Sequence, residues 1–301
     1  MNVLCVQLLG SVELSRSRRQ RLELPVSCRA LLGYLCLNRH RRVLRQEIAG
    51  TLWDNIDEQR ARRCLSTALW RLKSTPGLDR DLVRSAGPDE ISLICSQTLW
   101  IDVAAFEARA TPWQATPAEN LTQRARHSLA RAVSIYGGDF LPKTDSDWAL
   151  LERQRLRTLY LDSLYQLTAS YEHVQDHLRA IAYGRRLSAI EPLREDVHRI
   201  LMRAYVASGN RAKAIEQYRI CEAELGRELD VSPMAETQAL FHEISQPDVG
   251  PLVTNGARAV AGWNAAAEHL HWIRRALRQT DERLAETINL IEQRGTIKST
   301  I

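Results

Sequence analysis

Residues 61–74, ARRCLSTALWRLKS, limit what this chain can fold into more than any other stretch. Leu65, Leu69 and Leu72 fall at i, i+4 and i+7. That spacing predicts a helix with one apolar stripe, with Ala61 and Ala68 at its margin. At 100° per residue the opposite side carries Arg63, Thr67, Trp70 and Ser74, flanked by Arg62, Ser66, Arg71 and Lys73. None of the fourteen side chains is acidic. An ordinary solvated helix face mixes both signs of charge. A face of Arg, Lys, Ser and Thr suits phosphates and base edges in a major groove. A basic surface helix of a core domain would read the same way, so the neighbouring segments decide.

The chain is 301 residues long, enough for two or more domains. Its net charge of +5 is unevenly placed. Residues 1–100 hold sixteen Lys and Arg against ten Asp and Glu, and the remainder twenty-five against twenty-six. The basic excess therefore lies in the first third, where a nucleic-acid-binding domain would need it. The six cysteines are scattered without a CxxC pair and read as reduced small hydrophobes, with no disulfide framework or zinc site. The first residues lack the basic segment and cleavage site of a signal peptide. No run of eighteen apolar residues offers a membrane span. A cytoplasmic protein is expected.

Along the first hundred residues, β-prone runs at 3–9, 12–14 and 22–24 precede a helix expected from an N-cap at Ser27 to about Leu37. After the basic turn 38–42, Val43 and Leu44 lead into a second helix, 45–53. Residues 54–59 read as a polar loop, and the basic helix follows, closed by Pro76-Gly77. Residues 82–85, the turn Ala86-Gly87-Pro88-Asp89, and 91–95 form a β-hairpin. Three helices with the basic one last, then a hairpin, is the order of a winged helix-turn-helix, whose third helix enters the major groove.

Residues 1–100 resemble the OmpR/PhoB-type winged helix in the version found in the SARP family of bacterial transcriptional regulators. Leu8-Leu9-Gly10, Arg29-Ala30-Leu31-Leu32, residues 48–53, and Leu65, Leu69, Arg71 and Leu72 carry the resemblance. One departure is Glu90-Ile91, where such wings commonly have Gly-Tyr. An acidic side chain near the wing tip would weaken phosphate contact. The residues expected at DNA are Arg62, Arg63, Ser66, Thr67, Trp70, Arg71, Lys73, Ser74 and, on the wing, Arg84. Of these, Arg63, Ser66, Thr67 and Trp70 would face base edges. Trp70 could instead pack against the wing or the second domain. In related winged helices the loop before the third helix can contact RNA polymerase. Asp54, Asp57 and Glu58 stand there, with an ordinary solvated loop as the other reading.

From Leu121 to residue 246 the chain reads as helices separated by Pro, Gly, Asn and Asp. Asp176-x3-Ala180-Ile181 recurs as Asn210-x3-Ala214-Ile215, 34 residues on, the tetratricopeptide period of stacked helix pairs. Such arrays usually bind protein segments. Before the next helix, residues 227–232 read as an extra segment. Residues 101–246 resemble the bacterial transcriptional activator domain that partners the winged helix in the same family. The resemblance rests on Ile101-Asp102-Val103, Phe106, residues 136–141, Trp148, residues 191–195, His198, Gln217-Tyr218 and Ser232-Pro233.

Residues 247–258 read as a linker, and 259–295 as a C-terminal amphipathic helix with Trp263, Leu270, Leu277, Leu284 and Ile291 every seventh residue. A self-associating coiled coil and a helix docked on the array both remain open for it. No GxxxxGK[ST], HExxH, GxSxG or GxGxxG occurs, and His173 and His177, at i and i+4, have no further metal ligands nearby. The expected fold is mostly α: a winged helix-turn-helix with small β-sheets, a tetratricopeptide-like array of helix pairs, and a C-terminal helix. The expected protein is not an enzyme and needs no cofactor or metal. It is a sequence-specific transcriptional regulator, an activator that binds promoter double-stranded DNA as a homodimer and contacts RNA polymerase. The alternative is a protein-interaction scaffold whose winged helix does not bind DNA.

Overall fold

The computed structural model describes residues 3–16, 20–85 and 87–246. The expected linker and C-terminal helix lie outside the described residues. The chain starts with strands β1 (Leu4–Gln7), β2 (Glu13–Arg16) and β3 (Gln20–Leu22). Gly10, at φ +93°, lets the backbone reverse between the first two. They form an antiparallel ribbon with Leu4 facing Arg16 and Leu14 facing Leu22. A fourth strand, β7 (Leu99–Ile101), joins the other side of β1 in parallel, giving the order β3-β2-β1-β7.

Between β3 and β7 lie the three expected helices: α1 (Val26–Leu37), α2 (Arg45–Leu52) and α3 (Glu58–Lys73). Four local expectations change. Helix α1 begins at Val26 behind Pro25, one residue before the expected cap at Ser27. Proline's fixed φ, here −54° with ψ 140°, places the chain extended just before the helix. Residues Val43–Leu44 form a short strand, β4, and not the first turn of α2. The third expected strand sits earlier, at Gln20–Leu22, because its register is set by pairing with β2. Helix α3 starts three residues earlier than the apolar stripe implied, since Asp57 caps it by accepting the Arg60 backbone N–H at 3.0 Å. The wing strands are β5 (Val83–Ser85) and β6 (Glu90–Leu93), and β4 pairs with the outer side of β6.

The rest is helical: α4 (Asp102–Ala110), α5 (Gln123–Ile135), α6 (Asp147–His173), α7 (His177–Ser188), α8 (Glu195–Ala207), α9 (Arg211–Leu229) and α10 (Ala235–Ser245). The 34-residue echo has a structural cause. Asp176 and Asn210 are the N-caps of α7 and α9, accepting the N–H of Arg179 and Lys213, each at 3.2 Å. Ala180 and Ala214 are both fully buried where each second helix meets the first. Just before the caps, Gln175 and Gly209 both take positive φ to end α6 and α8. The first half of the segment expected between α9 and α10 is more of α9, which runs to Leu229 and ends on left-handed Asp230. Beyond it, the buried Glu195 carboxylate accepts the Met234 backbone N–H at 2.8 Å and the Thr237 hydroxyl at 2.6 Å, seating α10. The residue His198 accepts from Gln217 Nε2 at 2.8 Å and donates to the Pro192 carbonyl at 2.9 Å. His173 and His177 end one helix and begin another, and no cluster of three metal-ligating side chains occurs among the described residues.

Met1–Ile244 pack as one compact unit, so winged helix and array are joined. Asp102 is central to the seam. Its buried carboxylate accepts the N–H groups of Leu8 and Leu9 at 2.7 and 2.8 Å and that of Val103 at 2.7 Å. Burial raises its pKa, and those N–H donors oppose the rise. The Gly10 N–H donates to the Asp139 carbonyl at 2.9 Å and the Leu141 N–H to Leu8 O at 3.1 Å, while Leu9 bridges Phe140. The two backbones approach so closely that a Cβ on Gly10 would meet Gly137 O at 2.9 Å. Tyr34 of α1 packs edge-on against Trp148 of α6, centroids 5.4 Å apart. Glu107 binds Arg39 at 3.0 Å and Arg155 at 2.6 Å across the same junction.

Candidate nucleic-acid interface

The leucines of α3 do what their spacing requires. Leu65, Leu69, Leu72, Ala61 and Ala68 are buried against the winged-helix core. The other side is left to Arg62, Arg63, Ser66, Thr67, Trp70 and Arg71, all exposed, with Lys73 half-buried. Trp70 is 68% exposed among the described residues.

The cations on this surface differ in state. Arg63 makes no side-chain hydrogen bond or ion pair among the described residues. Arg62 donates to Glu58 one turn back at 2.6 Å, an exposed i, i+4 pair worth only about 0.3–0.5 kcal/mol. It can exchange that partner for a phosphate. Ser66 and Thr67 donate their hydroxyls to the carbonyls four residues earlier, Arg62 and Arg63, at 2.9 and 3.0 Å. Their oxygens therefore face outward as acceptors. Ser74 is the helix C-cap.

Arg45, absent from the sequence reading of the site, belongs to it. Its guanidinium donates to Ser66 Oγ at 3.2 Å, and its backbone N–H donates to the Asp89 carbonyl at the wing tip at 2.7 Å. One residue thus ties together the start of α2, the exposed face of α3 and the wing. A cleft of about 590 Å³ opens there, lined by Arg45, Gln46, Arg62, Ser66 and Asp89. A single Arg at the mouth of a helix carries no sequence signal for this, because the contact depends on how α2 and α3 cross.

On the wing, Arg84 is exposed opposite Ser92. The acidic residue expected to weaken the tip is placed otherwise. Glu90 opens β6 beside Leu44, and its carboxylate lies 3.5 Å from Arg42, which offsets its charge. The loop before α3 also changes. All three acids are exposed, but Asp57 is the helix cap and Glu58 is paired with Arg62, so Asp54 is the acid of the three without a cap or ion-pair role among the described residues. Behind α3, Glu47 binds Arg41 and accepts from the Tyr34 hydroxyl at 2.8 Å. The Arg41 guanidinium holds the Glu47 carboxyl below its ordinary pKa.

Residues 101–245 match the model of the bacterial transcriptional activator domain family. The transcriptional regulatory protein MoaR1 of Mycobacterium tuberculosis is 27% identical over 275 residues, 86% of each chain. The chain is a transcriptional regulator similar to those of the SARP family. The regulatory protein AfsR of Streptomyces coelicolor is 28% identical over 222 residues, 73% of this regulator but 22% of AfsR. In fold, the regulator is similar to Mycobacterium tuberculosis EmbR, solved in complex with a low affinity phosphopeptide. The TM-score is 0.62 and the identity 23%, covering 89% of this chain and 70% of that one. No helix among the described residues is long and apolar enough to cross a membrane.

Proposed function

We propose that this regulator binds promoter DNA by laying α3 in the major groove, with Arg63, Ser66, Thr67 and Trp70 toward base edges. Arg62, Arg71, Lys73, Ser74 and, from the wing, Arg84 bind the flanking phosphates. The observation that carries this reading is the exposed face of α3 beside a hairpin, free of acids beyond the Glu58 of its first turn, with Arg63 unpaired among the described residues and Trp70 68% exposed. Base readout needs free donors, and phosphate positioning needs cations on the same face. Such a protein works by binding, not catalysis, and does so in the cytoplasm where the promoter is. Promoter-bound copies form a homodimer, and Asp54, with Asp57 and Glu58 behind it, faces RNA polymerase to activate transcription.

Fluorescence anisotropy with DNA from upstream of the regulator's own and neighbouring genes tests the proposal. Affinity should fall linearly with the logarithm of salt concentration, and one segment should outcompete the rest. Binding that is salt-insensitive, or equal on all segments, would defeat it. A footprint then gives the geometry. Direct repeats about one helical turn apart require head-to-tail copies, and an inverted repeat requires a two-fold pair.

A further inference from the structure

A second concave site lies away from α3, at the seam between winged helix and array. It is a groove of about 460 Å³, with Gly10, Ser11 and Val12 on one side and Leu141, Pro142 and Lys143 on the other. Its size is that of a small-molecule pocket, and such pockets favour junctions between domains. The lining is chiefly aliphatic, with a few charged groups at its edge.

Both walls are held rigid. On the array side, Arg153 donates to the carbonyls of Phe140, Leu141 and Thr144 at 3.0, 2.8 and 2.8 Å. Leu141 itself sits at φ +43°, a left-handed conformation that a branched aliphatic residue adopts only at a cost of about 1–3 kcal/mol. Its side chain is buried against Gly33 of α1, where an added Cβ would meet Leu141 Cδ1 at 2.7 Å. On the winged-helix side, the turn is fixed by Gly10 against Asp139 and Gly137. The groove is therefore preformed, and an occupant spends no free energy on opening it.

The charges at its rim favour one sign. Glu13 is turned to Arg21 at 3.4 Å. Arg29 spends only Nε, on the Leu24 carbonyl at 3.3 Å, which leaves its two terminal nitrogens. Lys143 is exposed and makes no ion pair or hydrogen bond among the described residues. An aliphatic floor under two available cations matches a small molecule with an apolar body and a carboxylate head.

We infer that this seam groove is a binding site for an amphipathic small-molecule carboxylate, held by its apolar body against Val12 and Pro142 and by its carboxylate at Arg29 and Lys143. The site does not depend on the DNA-binding reading. Because the occupant touches both regions, its binding free energy adds to the stability of the folded chain.

The test is calorimetric titration of the full chain with sodium decanoate below its micelle concentration, with decanol as the uncharged control. Saturable binding at one site per chain is expected, with decanol weaker by about fivefold, the upper end for an exposed ion pair. Lys143→Gln should bring decanoate close to decanol. Ser11→Trp, which crowds the groove from an exposed position, should remove both. Circular dichroism and DNA binding report whether each variant is folded. Heats no larger than dilution, or decanoate binding unchanged in either folded variant, would overturn the inference while leaving the α3 interface untouched.

Discussion

Among single residues, Arg63 and Lys73 separate the two parts of DNA recognition. Arg63 sits mid-face and unpaired among the described residues, with the reach for a bidentate base contact. Arg63→Ala should weaken the preferred site by about 1–3 kcal/mol and leave competitor DNA nearly unaffected. Anisotropy on both sequences reads the difference. Lys73, half-buried in the last turn, is better placed for a phosphate. Lys73→Ala should weaken every sequence alike and reduce the slope of log affinity against log salt by about one. Glu47 reports on pH. Its folded pKa is lowered chiefly by the hydrogen bond from Arg41, so its contribution to stability is present above its ordinary value of 4.5 and lost as pH falls below it. Acid titration of Glu47→Gln should show a shallower loss of stability below pH 4.5 than the wild type.

At the level of elements, α3 combines a helix legible from its leucines with a start that is not. Periodicity locates the buried face, but the first turn is decided by Asp57, whose side chain satisfies an N–H the helix leaves open. Asp57→Ala should cost about 0.5–2 kcal/mol, read as a lower melting temperature, and fray the turn holding Glu58. The three helices, the hairpin and the helix-pair repeat were all readable, because each rests on local spacing or turn chemistry. Strand β7 was not readable. It pairs in parallel with β1 from more than ninety residues away, with Leu4 opposite Leu99, and nothing local marks such a partner. Strand β4 was missed for a related reason: two residues become a strand only once Glu90 and Ile91 lie beside them.

Across the whole molecule, several of the residues that carried the family resemblance meet where winged helix joins array. Gly10, Asp102 and the Gly137-Gly138-Asp139-Phe140-Leu141 run meet there through backbone hydrogen bonds and close contact. Their role in this chain is packing across the seam, not DNA contact. Gly10→Ala places a Cβ 2.9 Å from Gly137 O on a residue at φ +93°. The strain alone should cost about 1–3 kcal/mol, seen in chemical denaturation of the full chain. If the variant unfolds in one transition, the two regions are cooperative. If it unfolds in two, the seam is the weaker joint.

The chain's own order of residues determined the third helix, its buried leucines, its basic outer face and the hairpin after it, since each follows from periods of two or 3.6 residues and from turn-forming pairs. Only the tertiary structure decided which of those basic residues are free. Pairing depends on neighbours brought in by other elements and on where the helix starts: α3 begins early enough for Glu58 to take Arg62, Arg42 offsets Glu90, and Arg45 reaches Ser66 across the α2–α3 crossing. The same holds for the seam groove, whose two walls come from residues some 130 positions apart and are adjacent only because Asp102 and Gly10 bind the backbones together.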